Sequence, residues 1–357
     1  MANAGRMGAV EVPRAGRRGY VTMDDVAREA GVSLATASRS LNGSTRKVNE
    51  EYRKRVLEAA ARLDYSPNLS AQAVARGTTT TVALLVADIA DPYFSSIAAG
   101  VVDEADHERL IVTMAATERD PERELELVRT LRGQRPRVMI LAGSRPTSDP
   151  TEGARGEELR AYERSGGVAV LISRNELELR TVLVENRDGA EALARELTGI
   201  GYRRFAIITG GEGLRTAADR VEGFRAGLAA TGGELRDDDI VRAAFTRDGG
   251  YDGMRSLIQR GLGDVELVFA ANDVMAVGAL SAIRDAGLVP GTEVAIAGFD
   301  DIPTVRDVTP ALTTVRVPLE EIGRRALRLA LGDADAAAEG AIRTEVVLRE
   351  STPGITR

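Results

Sequence analysis

The sequence predicts a small all-α module followed by a larger two-lobed α/β module, in which parallel sheets are flanked by helices. Short helical patterns with capping residues occupy the first 65 residues, and short apolar runs then alternate with amphipathic stretches. About 280 residues of such a pattern are too many for one simple sheet, which indicates two lobes. Charge is also divided, because a whole-chain net charge of −7 separates into +5 on residues 1–77 and −12 on the rest.

Composition excludes several classes of protein. Cysteine is absent, which removes disulfides, thiolate nucleophiles and cysteine-based zinc sites. The single histidine, His107, lies among acidic residues and is expected on a solvated helix face. We therefore predict no catalytic residues, no metal site and no cofactor, and the chain is not expected to be an enzyme. The longest aliphatic runs, such as Val82 to Ala87, are of strand length, so we expect a cytoplasmic protein without membrane contact.

The first module reads as three short helices. Thr22 and Asp25 form a capping box for a helix from Met23 to Ala30, and Gly31 supplies the turn that follows. Ser33 caps a second helix that ends at Asn42-Gly43, and Asn49 caps a third. Two short helices joined by a glycine turn predict a helix-turn-helix, although a generic three-helix bundle has the same periodicity.

Linked motifs then make the interpretation specific. From Val21 to Gly77 the chain contains DVAREAGVS, TASRSLNG, RVLEAAARLDYSPN and AQAVARG, in that order. Together they closely resemble the DNA-binding head and hinge of the LacI/GalR family of transcription regulators. The resemblance implies four segments: a disordered basic tail (1–19), a helix-turn-helix domain (20–65), a hinge helix (66–78), and an effector-binding and dimerisation domain (79–357).

The same resemblance implies the contacts with DNA. The second helix would enter the major groove, where Arg39 makes a bidentate contact with guanine while Leu34 and Ala35 offer apolar contact. Phosphate oxygens or base edges would be held by a polar set, whose hydroxyls could alternatively serve as helix caps: Thr22, Ser33, Thr36, Ser38 and Asn42. In the hinge, Val74 would enter the minor groove and Arg76 would serve a phosphate. Valine stands where the family usually has leucine, so its insertion should be shallower.

Polar groups follow several strands of the second module. Parallel α/β folds bind ligands at the carboxyl ends of their strands, so these groups are expected to share one cleft, although each could be a helix cap. They are Asp91-Pro-Tyr-Phe94, Ser173-Arg174, Asn272-Asp273 and Asp300-Asp301. Thr209-Gly-Gly-Glu-Gly213 fits neither the dinucleotide fingerprint nor the P-loop and is predicted to be a tight turn.

This module resembles the periplasmic-binding-protein-like effector domain of the same family through about Leu348. The resemblance implies nine ligand contacts: Asp91, Tyr93, Phe94, Ser173, Arg174, Arg220, Phe245, Asn272 and Asp300. Aromatic faces together with Arg, Asn and Asp suit a sugar. Sugar-binding members often have Asp-Arg where this chain has Ser173-Arg174, which leaves a purine or another small polar metabolite open.

The resemblance also divides the effector domain. One lobe would comprise about 79–184 and 316–340, and the other about 185–315 and 341–357. The stretch 333–340, DADAAAEG, is predicted to be a loose surface connection.

We therefore expect a ligand-responsive transcription regulator that binds a pseudopalindromic operator in double-stranded DNA. It should act as a repressor and as a homodimer, with higher assemblies left open. Two alternatives share the α/β core: a solute-binding protein of a transporter, which would need export, and a cytosolic sugar-modifying enzyme, which would need an acid/base pair.

Overall fold

The computed structural model describes residues 21–42, 48–66, 79–173, 177–211 and 213–355. These residues form two compact units, one within 21–66 and the other within 79–355. The first unit is all-α and the second is α/β, as the sequence predicts. Within the described ranges, no helix has both the length and the apolar character needed to cross a membrane.

The N-terminal unit consists of three helices: α1 (Met23–Ala30), α2 (Leu34–Asn42) and α3 (Glu50–Arg62). The predicted capping box is confirmed, because the Asp25 N–H donates to Thr22 Oγ1 and the Thr22 N–H donates to the Asp25 carboxylate. Gly31 ends α1 with a φ of +63°, which glycine adopts most readily. Asn49 caps α3 as predicted. Small apolar residues fill the core: Val26, Ala27, Ala30, Ala37, Val56, Ala59 and Ala60.

Five parallel strands form the first sheet of the second unit, in the spatial order β2-β1-β3-β4-β5. They are β1 (Thr81–Val86), β2 (Ile111–Ala116), β3 (Val138–Ala142), β4 (Val168–Ser173) and β5 (Arg180–Leu183). Four helices cover its two faces: α4 (Pro92–His107) with α11 (Leu319–Leu331), and α5 (Pro121–Gln134) with α6 (Glu152–Arg164). Along β1, Val82 and Leu84 face the first pair, whereas Ala83 and Leu85 face the second.

Helix α11 belongs to the first sheet although it follows the second sheet in sequence. A Cβ added at Gly100 of α4 would lie 1.8 Å from the carbonyl oxygen of Glu320, and one at Gly323 would lie 2.1 Å from that of Ile97. Only glycine therefore permits these two helices to approach so closely. The close contact with α4 places α11 on the first sheet.

Four parallel strands form the second sheet, in the order β7-β6-β8-β9. They are β6 (Arg204–Thr209), β7 (Glu234–Arg242), β8 (Leu267–Ala270) and β9 (Ala295–Ala297), the last followed by a 3₁₀ helix (Pro303–Arg306). Its helices pack as two close pairs: α7 (Asn186–Gly199) with α8 (Arg215–Thr231), and α9 (Arg247–Gln259) with α10 (Asp273–Asp285). In its core, Phe224 stacks on Phe269 and contacts Phe205 in an edge-to-face arrangement. We call the two sheets, each with its helices, the first lobe and the second lobe.

The chain passes between the lobes in three segments that pair with one another. The two strands β10 (Thr314–Arg316) and β11 (Glu345–Val347) are antiparallel, and Val184 forms a β-bridge with Ile342. The expectation of a loose connection at 333–340 was wrong, because this stretch contains a short helix, α12 (Ala334–Ala338). Asp333 caps α12 by accepting two backbone hydrogen bonds, and alanine has the highest helix propensity, so the local sequence favours a helix.

Candidate functional site

Helix α2 carries most of the predicted DNA contacts on its exposed side. Ser33, Leu34, Ala35 and Arg39 are exposed, whereas Ala37 packs into the helical core. Leu34 is 50% exposed, so this large apolar side chain can contact an apolar group such as a thymine methyl. The exposed side of α2 therefore combines apolar groups with one guanidinium, which suits the edges of bases in a groove.

Two of the predicted hydroxyl contacts already cap helices. Ser33 Oγ accepts from the N–H of Thr36 at 3.2 Å, and the Thr22 hydroxyl donates to Asp25 Oδ2 at 2.6 Å. Capping accounts for both side chains without DNA, while Ser38 is half-buried on α2. Three other predicted contacts lie outside the described residues: the side chain of Asn42, Val74 and Arg76.

In the second unit, side chains from both lobes line one cleft. Seven of the predicted ligand residues meet there: Asp91, Tyr93, Phe94, Arg220, Phe245, Asn272 and Asp300. The side chain of Ser173, and all of Arg174, lie outside the described residues. The cleft encloses about 40 Å³, which is room for only a few water molecules.

A buried ion pair is fixed in the wall of this cleft. Arg220 Nη2 donates to Asp300 Oδ1 at 2.6 Å, Nη1 donates to the carbonyl of Ala271 at 2.7 Å, and Nε donates to Asn186 Oδ1 at 2.9 Å. The guanidinium also stacks 3.9 Å from the centre of the Phe299 ring. All three nitrogens of Arg220 thus have protein partners, so the group is held in one orientation before any ligand arrives.

Asp300 is held in an unfavourable environment for a carboxylate. Burial raises its pKa to about 6, against the lowering effect of Arg220, and the negative charge of Asp91 also raises it. Its backbone φ of +118° is uncommon for a residue with a side chain. Such strained positions concentrate at functional sites, and a buried carboxylate is a strong acceptor for ligand hydroxyls.

A second ion pair, formed by Asp91 and Arg119, lies on the first-lobe side of the cleft. Asp91 caps α4 by accepting from the N–H of Tyr93 at 3.0 Å, and Arg119 Nη2 lies 3.4 Å from Asp91 Oδ2. Burial raises the pKa values of Asp91 and Tyr93. The Arg119 guanidinium is 5.9 Å from the ring centre of Phe94 and 6.0 Å from that of Phe245, which belongs to the second lobe. Arg119 therefore contacts both sides of the cleft.

The charges of the described cleft residues balance. Two carboxylates, Asp91 and Asp300, stand beside two guanidiniums, Arg119 and Arg220, and aromatic rings complete the wall. This arrangement offers apolar faces and fixed hydrogen-bonding groups without a net charge. It suits a neutral polyhydroxy ligand better than a strongly charged one.

Asn272 lines the cleft and also caps α10, because its side chain accepts from the N–H of Met275 at 2.9 Å. The next residue, Asp273, faces the interior instead. Its Oδ1 accepts from the Thr314 hydroxyl at 2.6 Å, and its Oδ2 accepts from the N–H of Ile302 at 2.9 Å. The expectation that Asp273 shares the cleft was therefore wrong.

The expectation that Asp301 shares the cleft with its neighbour Asp300 was also wrong. Its carboxylate accepts from Arg316 Nε at 2.8 Å and from Arg349 Nη2 at 2.5 Å. Hydrogen bonds from Arg316 and Arg349 outweigh the effect of burial and lower its pKa. Asp301 has a φ of +55° directly after Asp300, and Asp273 begins α10 directly after the N-cap Asn272, so the backbone turns the second residue of each pair away from the cleft.

Four polar residues line the cleft that the sequence reasoning missed: Arg119, Ser144, Asn186 and Thr216. Arg119, Ser144 and Asn186 follow strands β2, β3 and β5, so the strand-end rule applied to every strand would have found them. Thr216 lies four residues before Arg220 on α8, which places the two on one face of that helix.

His107 is exposed near the end of α4, as predicted. Among the residues that the structure describes, no group of His, Asp and Glu side chains is arranged to hold a metal ion. The predicted turn at 209–213 connects β6 to α8, with Gly213 in the left-handed conformation.

Comparisons with known proteins match a part of each unit to a family model. The model of the bacterial regulatory proteins of the lacI family matches residues 22–68, and that of a periplasmic binding protein-like domain matches residues 194–352. The HTH-type transcriptional regulator GalR of Escherichia coli (strain K12) is 33% identical over 318 residues, which cover 88% of this chain and 89% of GalR.

Solved structures share the fold over nearly the whole chain. The transcriptional regulator CelR in complex with cellobiose is 30% identical, with a TM-score of 0.65, covering 93% of this chain and 99% of that one. The Lac repressor dimer bound to operator and the anti-inducer ONPF has a TM-score of 0.78 at 24% identity, covering 94% and 100%. At that identity, the likeness to the Lac repressor concerns the fold alone.

A helix-turn-helix unit joined to a two-lobed α/β domain with a polar cleft defines a class of DNA-binding transcriptional regulators, not enzymes. This chain belongs to the LacI family of bacterial regulatory proteins.

Proposed function

We propose that this regulator is a repressor that binds a pseudopalindromic operator as a homodimer and senses a neutral sugar in the cleft between its lobes. The observation that carries the ligand proposal is the fixed Arg220–Asp300 pair beside Phe94 and Phe245, in a cleft whose described residues balance in charge. The cellobiose complex of CelR supports a sugar, because that protein is 30% identical over nearly the whole chain.

In this proposal the predicted contacts keep their roles. Arg39 reads guanine, Leu34 and Ala35 meet apolar groups in the major groove, and the residues of the hinge contact the minor groove. Ligand residues of both lobes, with Ser173 and Arg174 among them, hold the sugar. Binding changes the angle between the lobes, and this change must reach the DNA-binding head for a response to occur.

An exposed apolar strand edge supports the homodimer. Strand β2 lies at the edge of the first sheet, where Ile111 is 53% exposed and Met114 is 39% exposed. Val102 of α4, which packs beside β2, is 42% exposed. Exposed apolar side chains along a strand edge favour association with a partner, and a second copy with two-fold symmetry would cover them.

The dimer is tested by light scattering after size-exclusion chromatography. Met114→Glu places a charge on the strand edge and should shift the protein toward the monomer mass. Leu348→Glu, at another exposed apolar residue, is the matched control and should leave the mass unchanged. A dimeric Met114→Glu variant would place the interface elsewhere.

The regulatory function is tested in two steps. Thermal shifts with a panel of neutral sugars, sugar phosphates and purines identify the ligand, and fluorescence anisotropy then measures binding to DNA from the upstream region of its own gene. A repressor of the proposed kind binds that DNA specifically, and a neutral sugar that raises the melting temperature changes the affinity. Stabilisation only by purines would contradict the sugar proposal, and an unchanged DNA affinity would contradict the ligand response.

A further inference from the structure

Two consecutive residues at the cleft have a backbone conformation that residues with a side chain rarely adopt. Asp300, which lines the cleft, has a φ of +118°, and Asp301 has a φ of +55°. A residue with a Cβ is strained in this region, so such a pair persists only where surrounding contacts hold it. We call Asp300–Asp301 the aspartate turn. The contacts that hold it decide where the Asp300 carboxylate points.

Backbone hydrogen bonds attach the first residue of the aspartate turn more firmly than the second. The Asp300 N–H donates to the carbonyl of Val315 at 2.8 Å, and the Val317 N–H donates to the carbonyl of Asp300 at 3.3 Å. The Asp301 N–H donates to Thr314 Oγ1 over a longer distance of 3.4 Å. The stronger attachment of Asp301 comes from its side chain.

Arginines from three other segments surround the Asp301 carboxylate. Arg349 Nη2 donates to Oδ1 at 2.5 Å and Arg316 Nε donates to Oδ2 at 2.8 Å, while Arg306 Nη2 is 3.4 Å from Oδ2. Arg349 is itself fixed, because its Nη1 donates to the carbonyl of Leu312 at 2.7 Å. The Asp301 side chain is 1% exposed, and hydrogen bonds between charged groups are strongest where water is excluded.

We propose that Asp301 and Arg349 are positioning residues for the ligand site: their buried ion pair holds the aspartate turn in the conformation that directs the Asp300 carboxylate to the cleft. Neither side chain lines the cleft, so both act through Asp300, whose Oδ1 accepts from Arg220 Nη2 at 2.6 Å. This inference rests on the proposed function only in taking the cleft as the ligand site.

Two substitutions at one position separate this role from an ordinary structural one. Asp301→Ala and Asp301→Gly remove the same carboxylate and leave the same arginines without it, but only glycine adopts a φ of +55° without strain. Asp301→Gly should therefore keep the aspartate turn, whereas Asp301→Ala should lose it. A side chain that only stabilises the fold predicts the opposite order, because glycine gives the unfolded chain more conformational freedom.

Crystal structures of the two ligand-free variants measure this difference without a sugar. The Arg220–Asp300 hydrogen bond, 2.6 Å long in the wild type, should persist in Asp301→Gly and be lost in Asp301→Ala. An Asp301→Ala structure in which this bond is intact, or its loss from both variants alike, would overturn the inference.

Asp239→Ala is the matched control. Asp239 belongs to the same lobe, and its carboxylate also accepts from two arginines, from Arg236 Nε at 2.8 Å and from Arg260 Nη2 at 2.6 Å. This variant should have a lower melting temperature than wild type but an unchanged aspartate turn. Loss of the turn in the control as well would assign the effect to general destabilisation and overturn the inference.

Arg349 provides an independent test, which also covers the case in which Asp301→Ala does not fold. Arg349→Met removes the guanidinium and keeps a long unbranched side chain, whereas Arg349→Lys keeps a positive charge for Asp301. The Arg220–Asp300 bond should be lost in Arg349→Met and kept in Arg349→Lys. An Arg349→Met structure with the wild-type turn would contradict the positioning role.

Calorimetry then measures the effect on binding, with cellobiose and the other neutral sugars of the panel as probes. A sugar that binds the wild type should bind Arg349→Met and Asp301→Ala about tenfold more weakly or less, while Arg349→Lys and Asp301→Gly should recover part of the affinity. Wild-type affinity in all four variants would overturn the inference. If no sugar binds the wild type, the sugar proposal fails, whereas the crystal structures still decide whether Asp301 and Arg349 position Asp300.

Discussion

Asp273 shows how a single buried carboxyl group makes stability depend on pH. It is fully buried, and burial together with the neighbouring charge of Asp300 raises its pKa to about 8. An unfolded aspartate has a pKa of about 3.9. Between these values the folded chain binds a proton that the unfolded chain has released, so this group's contribution to stability decreases as the pH rises from about 4 to about 8.

Asp273→Asn removes this titration, and its amide oxygen can accept from the Ile302 N–H while its NH2 donates to the Thr314 hydroxyl, which reverses the direction of that hydrogen bond. The variant should become more stable relative to wild type as the pH rises from about 5 to about 8, because only the wild type releases a proton from this position when it unfolds. Urea denaturation of both proteins at each pH measures the difference. Asp248→Asn, at an exposed aspartate of α9, is the control, and an Asp273→Asn difference that does not change with pH would contradict the assignment.

Among the residues of the DNA-binding head, we expect Arg39 to contribute most to the preference for operator DNA over other DNA sequences. A bidentate contact with guanine contributes about 1–3 kcal/mol of discrimination against the wrong base, so Arg39→Ala should lose roughly 5- to 150-fold in preference for operator over scrambled DNA. Fluorescence anisotropy with both DNAs measures this ratio. Equal weakening on both DNAs would instead assign Arg39 to phosphate, and an unchanged sugar-induced thermal shift would establish that the variant is folded.

At the scale of elements, the contact between α4 and α11 holds α11 on the first sheet, although α11 follows the second sheet in sequence. Gly100→Ala would bring its Cβ within 1.8 Å of the Glu320 carbonyl, so the helices must separate and the protein should unfold at lower temperature. Gly133→Ala on α5 is the matched control, since no atom lies within 4 Å of its added Cβ. That control should stabilise by about 0.5–1 kcal/mol, and a Gly100→Ala variant as stable as wild type would contradict this close packing.

The elements that the sequence predicted well are those whose causes are local. Thr22, Asp25 and Gly31 determine the limits of α1 through contacts within one or two turns, and the strand rhythm determines the α/β class. The prediction of a loose connection at 333–340 was wrong because it relied on composition alone. It did not consider that Asp333 can cap a helix and that alanine has a high helix propensity.

Only some of the cleft residues were predicted, because the positions of the others depend on contacts between distant parts of the chain. Strand ends indicated Asp91 and Asp300, whereas the direction in which Asp273 and Asp301 point depends on backbone pairing with the crossing segment near Thr314. The contact of Arg119 with Phe245 joins residues more than a hundred positions apart on different lobes. Such a contact follows from how the lobes close, which no local pattern specifies.

At the scale of the whole molecule, charge divides the two functions. The head and hinge carry a net +5 and the effector domain a net −12, so DNA is attracted to the first and repelled by the second. The cleft, by contrast, contains two carboxylates and two guanidiniums and has no net charge among its described residues. The two binding reactions should therefore respond differently to salt.

Operator affinity should fall steeply with salt, because each phosphate neutralised by Lys or Arg releases condensed counterions. With about 6–10 phosphate contacts, raising salt from about 50 to about 200 mM should weaken binding by about 10³–10⁵-fold. Binding of a neutral sugar, measured by calorimetry over the same range, should change little, since a neutral ligand has no net charge whose attraction salt could screen. A sugar affinity that also falls steeply would indicate an anionic ligand such as a sugar phosphate, and a salt-independent operator affinity would exclude the basic head as the DNA-binding surface.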